Sequence, residues 1–153
     1  MTGFMFDTNV FNQILNGKID IGTLPTDKPY IVTHIQINEI ENTKNPEKRE
    51  ALLKIFHSVG KTQVPTESAY WDISEWGAAK WNAEDGVIEK IIEKLNAKNN
   101  KKENNLLDAL ISETALKNKY LLVTDDRHLR EVMQEMGGSA VSFQEFLLTN
   151  KVT

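Results

Sequence analysis

Short apolar runs alternate with segments of helical period along nearly all of this sequence, and that alternation admits few folds. Residues 3–6 (Gly-Phe-Met-Phe) are an apolar run closed by Asp-Thr-Asn, the pattern of a buried strand. Val10, Phe11, Ile14 and Leu15 then recur at helical spacing until Asn16-Gly17 stops them. After a loop punctuated by Pro25 and Pro29, residues 30–32 (Tyr-Ile-Val) predict a second strand. Thr33 is placed to cap a helix over residues 34–41; Asn45-Pro46 breaks it, and residues 47–59 predict another. Residues 62–64 are a weak third strand. The helical pattern returns over residues 68–81 and more plainly over 83–95, where Val87, Ile88, Ile91, Ile92 and Leu95 form one stripe. Residues 96–105 read as a polar, flexible connector. A helix over 106–118, a strand over 120–124, a helix over 128–136, a short strand over 140–142 and a helix over 143–148 complete the chain. Such an order predicts a three-layer α/β/α fold, a mostly parallel sheet of about five strands with helices on both faces and right-handed crossovers. No repeat interrupts it, so residues 1–153 are expected to form one domain.

Parallel sheets gather ligands at the carboxyl ends of their strands, and that rule sorts the acidic residues. Asp7 directly follows the first strand, and Asp125 and Asp126 follow the strand over 120–124. Asp108 falls in the first turn of the helix leading into that strand, a helix that begins at the same edge. Glu39 lies about a turn and a half into the helix after the second strand, roughly 8 Å along its axis at 1.5 Å per residue, within reach of a glutamate turned back. Four distant segments therefore aim carboxylates at one edge.

Carboxylates packed together raise one another's pKa and strain the fold, and a hard divalent cation resolves the conflict. Mg²⁺ and Mn²⁺ take oxygen ligands and work through one or two carboxylates plus phosphate oxygens. The sequence has no cysteine and only three histidines, which argues against zinc, disulfides or a thiol nucleophile. Phosphodiester hydrolysis suits an oxygen-only site, since the metal activates water, aligns the phosphate and stabilises the leaving oxygen. The net charge of −4 is opposite to that of most nucleic-acid binders, but a cation held by several acids offsets it locally. The opening residues lack a basic stretch and do not read as a signal peptide, and no apolar run nears the about 18 residues a membrane span needs. A cytoplasmic protein with no membrane partner is expected.

Four stretches carry a resemblance. Phe6-Asp7-Thr8-Asn9-Val10, residues 33–40 (Thr-His-Ile-Gln-Ile-Asn-Glu-Ile), Leu107-Asp108-Ala109-Leu110-Ile111 and residues 121–126 (Leu-Leu-Val-Thr-Asp-Asp) resemble, in order and context, the acidic motifs of PIN-domain nucleases. Among such proteins, the chain resembles the small single-domain VapC-type toxins of bacterial toxin–antitoxin pairs. The resemblance implies an Mg²⁺- or Mn²⁺-dependent endoribonuclease, with RNA as substrate, a homodimeric state and a small antitoxin as partner. It implies that Asp7 and Asp108 are the nearest metal ligands, with Glu39 and Asp126 the second and fourth acids of the catalytic and metal set. It makes Thr8 and Asn9 a supporting polar pair, Asn9 orienting a carboxylate, and Thr124 a supporting hydroxyl. This chain departs from the pattern in doubling the fourth acid, so that either Asp125 or Asp126 faces the metal, and in Arg127-His128-Leu129, where a Phe is often found.

Each residue also has a plain reading. Asp7 and Asp125 are good helix caps, and Asp108 is a first-turn acid favoured by the helix dipole. Glu41, not Glu39, fits a solvated face. His128 beside two acids fits a surface helix better than a general base, because metal-activated water needs none. Ser112 lies one turn beyond Asp108, as a partner for it or as a plain helix serine. Trp71, Trp76 and Trp81 fit core or interface better than base stacking. Lys98, Lys101, Lys102, Arg127 and Arg130 flank the acids and are candidate RNA contacts, with a solvated charge run as the default. A haloacid-dehalogenase-type phosphatase needs a second Asp where Asn9 stands, and neither a receiver-domain arrangement nor a glycine-rich phosphate loop is present. A DNA-directed nuclease and a catalytically silent PIN-fold interaction module remain the alternatives.

Overall fold

In the computed structural model, which describes residues 3–17, 24, 29–59, 62–64, 86–99 and 105–149, strands and helices alternate as the sequence pattern requires. The order is β1 (Phe4–Phe6), α1 (Thr8–Leu15), β2 (Tyr30–Val32), α2 (His34–Glu41), α3 (Pro46–Val59), β3 (Thr62–Gln63), α4 (Val87–Asn99), α5 (Asn105–Lys117), β4 (Leu121–Val123), α6 (Arg127–Glu135), β5 (Ser139–Val141) and α7 (Phe143–Thr149). The strands form one sheet in the order β3-β2-β1-β4-β5, and every pairing is parallel.

Side chains alternate between the faces of a strand, and here parity separates two cores. Met5, Ile31 and Leu122 are in register, Leu122 pairs with Ala140, and all four turn to one face. There they meet Ile88, Ile91 and Leu95 of α4, Ala109, Leu110, Ile111 and Ala115 of α5, and Leu129, Val132 and Met133 of α6. Phe6, Val32 and Val123 turn the other way, onto Val10, Phe11 and Ile14 of α1, Leu52, Phe56 and Val59 of α3, and Phe143 and Phe146 of α7. The protein is thus an α/β/α sandwich around a parallel sheet. A slip of one residue in any central strand would exchange the two sets, so the register is strongly specified. The innermost strand, β1, is apolar at every position because both its faces are covered. At the rim, the two residues of β3 are exposed.

Local chemistry sets the helix ends. Asp7 and Asp126 cap α1 and α6, so these helices begin at Thr8 and Arg127, earlier than the apolar periodicity alone requires. Thr33 caps α2 as expected, within a full capping box. The largest difference from the sequence reading lies at residues 96–99, expected in a connector. They are the last turn of α4, and Asn105 already belongs to α5. The cause is a knot of amides. Asn105 Nδ2 donates to Asn96 Oδ1 (2.7 Å) and Asn99 Oδ1 (2.9 Å), and Asn99 Nδ2 returns a bond to Asn105 Oδ1 (2.8 Å). Helix α5 is buried from Asp108 through Ala115, which is why its sequence shows little amphipathic bias. The expected helix over 68–81, with Trp71, Trp76 and Trp81, lies outside the described residues. No helix among the described residues is long and apolar enough to cross a membrane.

Candidate active site

The strand order reverses once. From β1 the chain builds outward through β2 to β3, then returns to add β4 and β5 on the other side of β1. The crevice at the carboxyl ends of β1 and β4 is therefore the topological switch point, where doubly wound sheets bind their ligands. Asp7 follows β1 and Thr124-Asp125-Asp126 follows β4, so both acidic segments flank that crevice.

The strand ladder extends one step past β1, because the Asp7 amide donates to the Val123 carbonyl at 2.9 Å. That places the Asp7 and Thr124 side chains together. Asp7 is buried, 5 % exposed, and its carboxylate is held on both oxygens. Oδ1 accepts the Thr8 amide at 2.8 Å, while Oδ2 accepts the Thr124 hydroxyl at 2.8 Å and the Asn9 amide at 3.3 Å. Asn9 also donates to Thr124 Oγ1 at 3.3 Å, and its Oδ1 takes the Asp125 amide at 3.4 Å. The fully buried Thr124 accepts the Asp126 amide on Oγ1 at 3.1 Å. Asp7, Asn9, Thr124 and the Asp126 backbone are thus one hydrogen-bonded unit joining two strands and two helix starts. Replacing Thr124 with Val keeps the shape but removes the hydroxyl that donates to Asp7 and accepts from Asp126. The expected loss is about 1–3 kcal/mol in urea-induced unfolding, the cost of buried polar groups left short of a partner.

Two further acids are brought to the same edge by helices. The Thr33–Gln36 box fixes the start of α2: Thr33 donates through its amide to Gln36 Oε1 at 2.8 Å and through its hydroxyl to the same oxygen. Gln36 Nε2 then donates to the Phe6 carbonyl at 3.2 Å, bolting α2 to the residue before Asp7. Glu39 follows one turn later on the same side of the helix and is half-buried. The sequence signal for this bolt is Thr-x-x-Gln before an apolar helix, a pattern that contains no acid. Asp108 lies in the first turn of α5, 8 % exposed, and α5 packs on α2.

Both acids after β4 are caps, and the helix that follows them is capped by Asp126, not by Asp125 as the sequence suggests. Asp126 Oδ1 accepts the Leu129 amide of α6 at 3.2 Å, whereas Asp125 Oδ1 reaches across to cap α7 at the Phe143 amide, 3.1 Å away. Ser112 does not bond Asp108; it is wholly buried and its hydroxyl has no hydrogen-bond partner among the described residues. The basic candidates are spread more widely. Lys98 bridges Glu131 at 3.1 Å and Glu135 at 2.8 Å, and Lys94 meets Glu135 at 3.1 Å. Hydrogen bonds to Glu135 and then Glu131 raise the Lys98 ammonium above its usual range; those from Lys98 and then Lys94 lower Glu135. Arg130 Nη1 donates to the Thr124 carbonyl at 2.8 Å. The Thr124 amide pairs with Val141 of β5, and amide and carbonyl of one strand residue point the same way, so Arg130 sits on the side of β4 away from Asp7. Arg127 is largely in solvent, its Nε 3.4 Å from Glu131. Lys101 and Lys102 lie outside the described residues.

An oxygen-only set of acids suits a hard cation in kind, and the bonds that Asn9, Thr8 and Thr124 make to Asp7 resemble those that orient ligating carboxylates. As the side chains stand, no three His, Asp or Glu among the described residues are gathered tightly enough to hold a metal ion. Asp125 and Asp126 each give one oxygen to a helix amide. No protein-family model matches the chain, and no curated protein matches it.

Proposed function

We propose that the protein is a Mg²⁺- or Mn²⁺-dependent endoribonuclease that hydrolyses phosphodiester bonds at the β1/β4 crevice. One observation carries the proposal: Asp7 and Asp126, tied through Thr124, border the switch point of a parallel sheet. The resemblance of the four acidic stretches to PIN-domain nucleases supports the same reading. Asp7 and Asp108 would hold the cation, with Glu39 and Asp126 completing the set. A bound Mg²⁺ or Mn²⁺ supplies Lewis acidity at the phosphate and activation of water.

The chain's own residues supply position. Thr124 and Asn9 fix the plane of the Asp7 carboxylate, so a cation would meet it without reorganisation. Asp126, at the start of α6, pins Thr124 through its own amide. Gln36 holds α2, and with it Glu39, against the end of β1. Because water attacks the phosphorus, the 2′-hydroxyl takes no part in the chemistry, and products carry no 2′,3′-cyclic phosphate.

The test is incubation of end-labelled single-stranded RNA with the pure protein and Mn²⁺, Mg²⁺ or chelator. Cleavage that needs the metal and leaves no cyclic phosphate is expected. Metal-independent cleavage, or none on any RNA tried, would sink the proposal; equal cleavage of a 2′-deoxy substrate would move it to a general nuclease. The resemblance extends the proposal to the toxin of a toxin–antitoxin pair, a homodimer silenced by a small antitoxin. Growth arrest on induction, relieved by Asp108→Asn, tests that extension.

A further inference from the structure

The amide knot of Asn96, Asn99 and Asn105 shares no residue with the Asp7–Thr124 unit, yet it closes one turn from Asp108. Asn105 is 3 % exposed, the first residue of α5, and Asp108 stands three positions on, in the same turn and on the same side. Its side-chain amide works in both directions: the oxygen accepts from Asn99, and Nδ2 donates to Asn96 and Asn99. As the first helical residue of α5, Asn105 stands past the capping position and has no need of a partner outside its helix. Here the amide turns away from its own helix to the last turn of α4, at an ordering cost that Asn-to-Asn contacts recover only if they are held together.

We infer that Asn105 is a positioning residue for Asp108: the knot locks the first turn of α5 against the end of α4 and so fixes how far and at what rotation Asp108 enters the crevice. The inference rests on the metal-dependent reading of that crevice. α4 is well suited as the anchor. Ile88, Ile91 and Leu95 bury it against α5 and the sheet, and Lys94 and Lys98 tie it to α6. A helix start carrying a ligand needs such a fixed partner, because helix ends fray and a shift of one ångström in a ligand is costly in affinity. Asn96 and Asn99 are spaced three apart, so one face of α4 presents both to a single Asn105 side chain.

The test is Asn105→Leu, close in size but without amide groups, and Asn99→Leu, the milder change that leaves the Asn105–Asn96 bond in place. Mn²⁺ affinity is read by calorimetry well below each melting temperature, and kcat and KM on RNA in parallel. Asn105→Leu is expected to weaken Mn²⁺ binding about 10- to 100-fold, the range for residues that orient a ligand, and to lower kcat with KM for RNA little changed. Asn99→Leu should give a smaller loss of the same kind. Phe56→Leu, in the core on the opposite face of the sheet, controls for destabilisation and should leave Mn²⁺ affinity unchanged. Wild-type affinity in Asn105→Leu, or an equal loss in the Phe56 control, overturns the positioning role alone. A wild-type protein that takes up no Mn²⁺ overturns the metal reading and this inference with it.

Discussion

Asp108→Asn is expected to cut Mn²⁺-dependent RNA cleavage by about a thousandfold, on the order of 4 kcal/mol of lost transition-state stabilisation, while leaving the fold standing. The substitution keeps shape and removes one charge. In the metal-free protein two small terms oppose each other. A first-turn carboxylate gains about 0.3–1 kcal/mol from the helix dipole, and that is lost. Repulsion from the other acids at the same edge is relieved. The metal-free variant should therefore unfold within roughly 1 kcal/mol of the wild type. Added Mn²⁺ separates the two. A ligand at 100 times its Kd stabilises the native state by about 2.7 kcal/mol, or roughly 5–10 °C for a domain of this size. The wild type should show that upward shift and Asp108→Asn none. A shift of the same size in both would remove Asp108 from the cation site. Asp7→Asn is the contrasting case. Its new amide would put N–H groups against the Thr8 amide, the Thr124 hydroxyl or the Asn9 amide, all of which donate to Asp7, so it should lose stability even without metal.

That contrast shows what the sequence carries and where it stops. Strand positions were legible because parallel strands covered on both faces read as short apolar runs, as Phe4-Met5-Phe6 and Leu121-Leu122-Val123 do. The edge that gathers the acids followed from strand direction alone. Less legible were the side-chain contacts that turn proximity into geometry. Asp125 and Asp126 are chemically identical neighbours, and only the fold puts the Phe143 amide within reach of the first and the Leu129 amide within reach of the second. Arg130 looked available to phosphate because it lies four residues from Asp126. The pairing of Thr124 with β5 places it on the far side of the strand. Residues 96–99 read as linker because asparagine disfavours helix interiors, and a tertiary contact with Asn105 overrides that preference.

Phe6→Ala should have the largest effect on stability, about 3–5 kcal/mol, the usual cost of truncating a buried aromatic. Phe6 is 2 % exposed and stands at the centre of one core. Its ring is edge-on to Phe11 of α1, Phe143 and Phe146 of α7, with centroids 6.1, 5.9 and 5.4 Å away, and tilted on Tyr30 of β2 at 5.1 Å. One ring thus joins α1, α7 and two strands, and a cavity there cannot be filled by moving a single element. Against a total stability of about 5–15 kcal/mol, the loss leaves a marginal protein whose melting temperature falls by roughly 10 °C or more. Phe56→Ala provides the comparison. Phe56 is as well buried, at 3 % exposed, but it is tilted on one core ring, Phe11, and α3 can settle into the space. Phe6→Ala should therefore cost more than Phe56→Ala, and an equal or reversed ranking in urea-induced unfolding would show that the ring cluster is not what ties α1 and α7 to the sheet. The position also bears on the crevice, because the Phe6 carbonyl holds Gln36 and the next residue is Asp7. Backbone rather than ring makes those links, so Phe6→Ala below its melting temperature should keep its Mn²⁺ affinity within a few-fold, losing stability without losing the site.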